Sequence, residues 1–176
     1  YWFLHETNMV VQPGIVNENL TQHIMNICEN RGDALAIIDP RGGYLPSSEN
    51  GNSEQSRIST GHVDEVVRNM ERRSVNSSYG AAYYPFSDKQ QAVWFAPAGF
   101  NRGGLSNGTG GFPVVNVRSK LSSRERDDLY EANVNPIASF PSEGIVIFGQ
   151  KTLQATPSAL DRINVRRLMI FVKKEI

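Results

Sequence analysis

A capped helix followed at once by a short apolar strand constrains the fold of this chain more than any other feature. The segment Asn17–Gly32 has apolar residues at helical spacing, an asparagine able to cap its start and a glycine able to end it. Its apolar face is formed by Leu20, Ile24, Ile27 and Cys28. Next comes Ala34–Asp39, a short apolar run that suits a strand buried on both faces. Such a helix–strand succession is typical of layered α/β proteins.

The same alternation continues along the rest of the chain. Further helices are predicted at Ser59–Arg73, after a capping box formed by Ser122 and Glu125, and over Thr156–Ile176. Strands are predicted at Tyr79–Phe86, at Gln91–Ala98 and on both sides of the turn Pro141–Gly144. We expect the first two strands to form a hairpin, with Pro85 favouring an edge position. The predicted fold class is α/β, a layered mixed sheet flanked by helices, in a single domain spanning residues 1–176.

The last predicted helix is apolar on more than one side. Leu160, Ile163, Leu168 and Phe171 are apolar, and Val165, Met169, Ile170 and Val172 add apolar residues on other sides of the helix. Such a helix is deeply buried or covered by a partner. The chain starts without methionine and stops inside this helix, so we expect a fragment of a longer, multidomain chain.

Composition excludes several classes of partner. Eighteen Lys and Arg residues balance eighteen Asp and Glu residues, and no basic field predicts a nucleic-acid partner. No apolar run approaches the ~20 residues that span a bilayer, so direct membrane insertion is not expected. The single cysteine, Cys28, excludes an internal disulfide and a cysteine-rich zinc site.

A glycine-rich stretch raises the possibility of a nucleotide site. Trp94–Gly111 contains six glycines after a predicted strand, where phosphate-binding loops often lie. A P-loop also needs Lys-Ser/Thr after its glycines, and the dinucleotide fingerprint needs a third glycine where Pro113 stands. A nucleotide-binding module at Gly99–Gly111 therefore stays an alternative only, and the glycines are more simply read as permitting positive φ.

A subtilisin-like serine hydrolase is the other alternative function. Asp39 ends a strand and His62 begins a helix, which are comparable to the positions of the acid and base in that triad. The serine would be one such as Ser158, which lacks the expected glycine context. The three histidines, His5, His23 and His62, are too scattered to predict a metal site. No catalytic, cofactor-binding or metal-ligating residue is assigned, and no cofactor is expected.

Two charged segments are the candidate sites of contact with other subunits. The first, on the helix after Ser122, comprises Arg124, Glu125, Arg126, Asp127 and Asp128. The second is the pair Arg166 and Arg167 on the last helix, which could pair with acidic groups or phosphate. A solvated or salt-bridged helix face is the simpler interpretation of both segments.

Four segments together resemble a known family. These are "RGDALAIIDP", "VWFAPAGFNRG", "LYEANVNPIASFPSEGIVIFGQKTL" and "DRINVRRLMIFV", in this order and spacing. They are similar to the contractile tail sheath proteins of T-even-type myophages, most closely from Val93 to Val172. Phe148 stands where the family often has tryptophan.

This resemblance implies a structural role rather than catalysis. Sheath proteins stack as hexameric rings around the tail tube, and on contraction they drive the tube through the host envelope. The partners implied are other sheath subunits, the tube protein, the baseplate and the tail terminator. The implied location is the virion tail, after assembly in the host cytoplasm. The segment would correspond to a central α/β core domain with subtilisin-like topology, between outer N-terminal domains and a C-terminal domain.

Overall fold

The computed structural model describes residues 7–12, 15–41, 62–85, 121–141 and 144–176. Within them, five strands form one sheet. The strands are β1 (Met9–Val11), β2 (Leu35–Ile38), β3 (Gly80–Tyr84), β4 (Val134–Phe140) and β5 (Gly144–Ile147). The helices are α1 (Glu18–Arg31), α2 (His62–Arg73), α3 (Ser123–Glu131) and α4 (Ile163–Glu175), preceded by a 3₁₀ turn at Ala159–Asp161.

The order of the strands in the sheet follows the chain, from β1 to β5. Strands β1 to β4 are parallel, and β5 returns antiparallel to β4 with Ile137 opposite Ile147. The mixed α/β class is therefore confirmed. The subtilisin-like topology finds no support in this order. Open α/β sheets bind ligands where the strand order reverses, and the described strands contain no such reversal.

The helices are divided unequally between the two faces of the sheet. Side chains of α1, α2 and α3 pack with Ala36, Ile38 and Ala82 in one core. Residues of α4 pack with Leu35, Ile37 and Ala81, which point to the opposite face because side chains alternate along a strand. Successive crossovers of one hand, each leading to the next strand, place their helices on one face. The other face is left to α4.

Local signals located the first helix correctly. The Asn17 side chain accepts a hydrogen bond from the Leu20 N–H, and Gly32 ends α1 at φ 68°. The predicted apolar face is only partly right, because Thr21, Met25 and Cys28 are the buried residues. Leu20 and Ile27 remain 39% and 41% exposed, since they lie about a quarter-turn or more from Thr21 and Met25.

The predicted edge position of the strand at Tyr79–Phe86 is wrong. Strand β3 is the middle strand of the sheet, paired with β2 on one side and β4 on the other. The segment Gln91–Ala98, the predicted hairpin partner of this strand, lies outside the described residues. Pro85 follows the last residue of β3, so its missing N–H does not interrupt the ladder.

The other hairpin and the capping box are confirmed. Ser122 accepts a hydrogen bond from the Glu125 N–H, and the Glu125 carboxylate accepts one from the Ser122 N–H. The antiparallel pair β4 and β5 surrounds the predicted turn at Pro141–Gly144. The last helix, by contrast, begins at Ile163 rather than at Thr156. In the preceding residues Lys151 forms a β-bridge with Arg162, and Leu153 forms one with Ser77.

Candidate functional site

A fully buried asparagine joins three parts of the fold. Asn135, on β4, donates to the Ala82 carbonyl at 3.0 Å and to the Lys151 carbonyl at 2.8 Å. Its Oδ1 accepts from the Lys151 N–H at 2.7 Å. The amide nitrogen thus makes two hydrogen bonds and the amide oxygen makes one. A buried polar group left unpaired would cost about 1–3 kcal/mol. Asn135 therefore fixes the chain that follows β5 against β3 and β4.

The segment 148–162, which we call the connector, links the sheet to α4 through hydrogen bonds. The Leu153 N–H donates to the Gly80 carbonyl at 2.9 Å, which ties the connector to the start of β3. Within the connector the Thr152 N–H donates to the Asp161 carbonyl at 2.8 Å. The Ile163 N–H, at the start of α4, donates to the Gln150 carbonyl at 2.8 Å. The connector therefore fixes the sheet and α4 to each other.

Tyr130, near the end of α3, supports the connector from outside. The Lys151 ammonium lies 4.0 Å from the centre of the Tyr130 ring and donates to the Tyr130 carbonyl at 2.9 Å. Arg162 donates to the Tyr130 hydroxyl at 2.8 Å. Gly149 allows this close approach, because a Cβ there would lie 3.2 Å from the ring and 3.0 Å from Asn135 Oδ1. Tyr130 and Asn135 thus both contact the connector at Gly149 and Lys151.

The predicted contact residues Arg166 and Arg167 lie under α4 rather than on its outer side. They are 8% and 7% exposed. Arg166 donates to the Ser78 hydroxyl and lies 4.1 Å from the centre of the Tyr79 ring. Burial lowers the pKa of Arg167, and the nearby Tyr83 opposes that shift. Their role as an interface stays a prediction, and both are buried, with Arg166 against the two residues that precede β3.

The charged segment on α3 lies mostly at the surface. Arg124 and Asp128 approach within 3.8 Å across one helical turn, with the Arg124 side chain almost fully exposed. Arg126 instead lies over two aromatic rings, 5.2 Å from the centre of Phe140 and 5.5 Å from that of Phe148. Glu125 is used in the capping box. Arg124, Asp127 and Asp128 are therefore the members most available to a neighbour.

The outer side of α4 is an exposed apolar surface, which is one of the two outcomes that the sequence left open for this helix. Leu168 and Phe171 are 50% and 52% exposed, and Met169 and Val172 are also exposed. The buried members are Ile163 and Ile170, together with the two arginines. Because α4 has apolar residues on several sides, the sequence does not determine which side of the helix packs on the sheet. The structure thus adds a candidate contact surface beside the two charged segments.

The residues of the alternative hydrolase triad are not brought together. Asp39 is buried directly after β2, at the carboxyl end of the parallel strands. Ser158 bonds to Gln154, next to Ala155, whose N–H donates to Asn76 shortly before β3 begins. The two residues therefore lie at opposite ends of the strands. Of His62, the structure describes only that it begins α2.

Two other kinds of feature are absent from the described residues, a metal-holding group of side chains and a membrane-spanning helix. Nowhere in those ranges do three His, Cys, Asp or Glu side chains form a group that could hold a metal ion. None of the described helices is both long and apolar enough to cross a membrane. The glycine-rich stretch Gly99–Gly111 lies outside the residues that the structure describes.

Comparison with known proteins identifies close relatives of this chain. It is 40% identical over 181 residues to the tail sheath protein of Salmonella phage ViI, a match covering 88% of the chain. It is 40% identical over 91 residues to that of Vibrio phage KVP40 and 37% identical over 90 residues to that of Enterobacteria phage T4. The chain resembles a segment of the phage tail sheath proteins. The resemblance seen in the sequence is confirmed, although no family model matches the chain.

The chain spans only part of these tail sheath proteins. The three matches cover 26%, 13% and 13% of the lengths of the ViI, KVP40 and T4 proteins. Solved structures of contractile systems share the fold. A chain of the contracted PVC sheath complex, an extracellular contractile injection system, matches with a TM-score of 0.62 at 15% identity. That match covers 98% of this chain and 47% of the other. A chain in the baseplate of the anti-feeding prophage matches with a TM-score of 0.55 at 16% identity, over 96% and 44%.

Three of the motifs that carry the resemblance to tail sheath proteins are joined at or next to the connector. Asn135 comes from "NVNPI", Lys151 and Thr152 from "GQKTL", and the buried arginines from "INVRRL". Direct hydrogen bonds join the first motif to the second. The second motif is joined to the start of α4 through Gln150 and Ile163. These three motifs therefore contribute to fixing α4 to the sheet.

Proposed function

We propose that this chain is the core domain of a structural subunit of a contractile phage tail sheath, within a longer polypeptide. The observation that carries the proposal is the 40% identity to the ViI tail sheath protein across 88% of the chain. The shared fold with a chain of the PVC sheath complex supports it.

The proposed subunits polymerise as stacked hexameric rings around the tail tube. On contraction they drive the tube through the host envelope, with the baseplate at one end and the tail terminator at the other. The subunit is assembled in the host cytoplasm and resides in the virion tail. Contraction of this kind requires subunits that shift as bodies while their contacts are exchanged. The connector supports that requirement, because its hydrogen bonds hold α4 and the sheet together.

The proposed subunit is not an enzyme and needs no cofactor. The separation of Asp39 from Ser158 supports this view. A fluorophosphonate probe, which labels activated serines, is expected to leave the protein unlabelled while labelling subtilisin in the same reaction. Stoichiometric labelling of Ser158 would favour the hydrolase alternative.

Electron microscopy of the complete polypeptide tests the proposal. The expected result is long tubes of regular diameter, formed alone or on added tail tubes. A protein that stays monomeric under all conditions, including in the presence of tail tubes, would contradict the proposal. The 176-residue chain alone is a useful control, since we expect it to be monomeric or weakly associating.

A further inference from the structure

Tyr79 packs against both apolar cores of the fold, and no other described residue is shared between them. One core lies on the face covered by α1, α2 and α3, which we call the three-helix face, and the other lies under α4. A side chain within a strand points to only one face of the sheet. Tyr79 directly precedes Gly80, the first residue of β3, and so lies at the amino end of the middle strand. This position lets its ring contact both cores.

The Tyr79 ring lies between α4 and the end of α1. On one side the guanidinium carbon of Arg166 lies 4.1 Å from the centre of the ring. Arg166 is only 8% exposed, and a cation is held more strongly over a ring when water is excluded. On the other side the Tyr79 hydroxyl approaches Gly32, where a Cβ would lie 3.5 Å from it. The ring therefore bridges α4 and the residue that ends α1.

Hydrogen bonds fix the backbone on which this ring is carried. The Tyr79 carbonyl accepts from the Ala36 N–H of β2 at 2.8 Å. The Tyr79 N–H donates to the Ser77 hydroxyl at 3.2 Å, and that hydroxyl donates to Glu29 of α1 at 2.9 Å. Displacing the ring would therefore disturb contacts with both β2 and α1.

We propose that Tyr79 is a positioning residue that couples α4 to the three-helix face. This inference rests on the proposed function, in which the subunit shifts as one body. The connector and Lys173 fix the two ends of α4, and Tyr79 fixes the helix between them through Arg166. Without the ring, α4 can open while the three-helix face stays folded.

Hydrogen exchange of the complete, unassembled polypeptide tests the coupling, with α1 and α4 followed separately by mass spectrometry. Tyr79→Leu keeps an apolar side chain but removes the ring that holds Arg166. It should speed exchange in α4 about tenfold more than in α1. A side chain that only filled space in both cores would, when replaced, reduce the protection of both helices equally.

Two further variants separate the ring from other features of an aromatic residue. Tyr79→Phe keeps the ring and loses only the hydroxyl, so it should exchange like the unmodified protein. Phe171→Leu removes a ring from the exposed outer side of α4 and is the matched control. It should leave exchange in both helices unchanged.

The same contact can be removed from the side of α4. Arg166→Lys keeps the charge but loses the planar group that stacks on the ring, so it should also speed exchange selectively in α4. Combined with Tyr79→Leu, it should give a total effect of about tenfold rather than about a hundredfold, because both changes remove one contact. If Tyr79→Leu does not fold, Arg166→Lys alone decides, and unchanged exchange in α4 would overturn the inference.

The outcomes distinguish this inference from the proposed function. Equal acceleration of α1 and α4 in Tyr79→Leu, or an effect of Tyr79→Phe as large as that of Tyr79→Leu, would overturn the coupling and leave the sheath function intact. Failure of the complete polypeptide to form tubes would overturn the sheath function, whereas selective exchange in α4 would still establish the coupling.

Discussion

The two faces of the sheet are covered in different ways. On one face α1, α2 and α3 bury a continuous apolar core that includes Met25, Val66 and Leu129. On the other face α4 contributes only Ile163 and Ile170 to the apolar core, beside two buried arginines. Polar contacts fix both ends of α4, through Ile163 to Gln150 at its start and through Lys173 to Arg31 near its end. Local helices thus cover one face, whereas long-range polar contacts position the helix on the other.

Loss of an apolar side chain from the three-helix face should have the largest effect. Leu129→Ala removes a fully buried side chain from α3, and we expect a loss of about 3 kcal/mol in the free energy of unfolding. Denaturant unfolding followed by circular dichroism measures it. The whole protein should unfold in one transition at lower denaturant, because this core spans three helices and the sheet. A loss below about 1 kcal/mol would mean that the site collapses around the cavity.

Loss of the Asn135 amide should have the second-largest effect on the free energy of unfolding. It should act mainly on the sheet face that α4 covers. Asn135→Ala removes the side-chain hydrogen bonds to the Lys151 N–H and to the Lys151 and Ala82 carbonyls, which should cost about 2 kcal/mol. Hydrogen exchange is the sharper measurement. Amides of the connector and of α4 should exchange faster, while those of β2 and α1 stay protected.

A matched control for this change is Asn30→Ala, at an exposed asparagine in the last turn of α1. It should leave the exchange pattern unchanged and alter stability by less than about 0.5 kcal/mol. Uniformly faster exchange in Asn135→Ala would contradict the separate role of the connector.

A helix cap on the three-helix face should have a smaller effect. Asn17→Ala removes the acceptor for the Leu20 N–H at the start of α1, at a cost of about 1 kcal/mol. Asn17→Asp keeps an acceptor there and should retain most of the stability. Thermal unfolding of the two variants measures the difference, and equal melting temperatures would show that the cap adds nothing.

The pH dependence at Glu18 should be smaller still. The hydrogen bond from Asn69, helped by Arg72 and Arg73, holds the pKa of this carboxyl below its ordinary value of 4.5, although burial opposes the shift. A depressed pKa in the folded state adds stability that is present above pH 4.5 and lost as the pH falls through the folded value. Glu18→Gln should therefore flatten the stability curve below about pH 5. The same slope in both proteins would show that Glu18 does not contribute.

Sequence reasoning succeeded where the signal was local. The Asn17 cap, the Gly32 stop and the Ser122–Glu125 box each depend on residues within one helical turn, and all three were correct. The turn between β4 and β5 is local in the same sense. The central position of β3 was missed, because strand order depends on pairing between residues far apart in the chain.

The connector and α4 could not be predicted for the same reason. Nothing near Asn135 indicates that its amide will bond to Lys151, 16 residues later. Arg166 and Arg167 were expected to pair with acidic groups or to be solvated. Both are buried instead, and the centre of the Tyr79 ring lies 4.1 Å from the guanidinium of Arg166. With the arginines turned inward, Leu168 and Phe171 lie on the outer side of the helix, a choice that apolar residues on several sides could not decide.

Cryo-EM of the polymer in its extended and contracted states tests the central claim most directly. The claim is that this chain is the core of a sheath subunit in which sheet, connector and α4 move together. The described residues should fit both maps as one body, with the Asn135–Lys151 and Ile163–Gln150 hydrogen bonds kept in each. A map in which α4 leaves the sheet on contraction, or a polymer whose subunits do not contain this fold, would contradict the account.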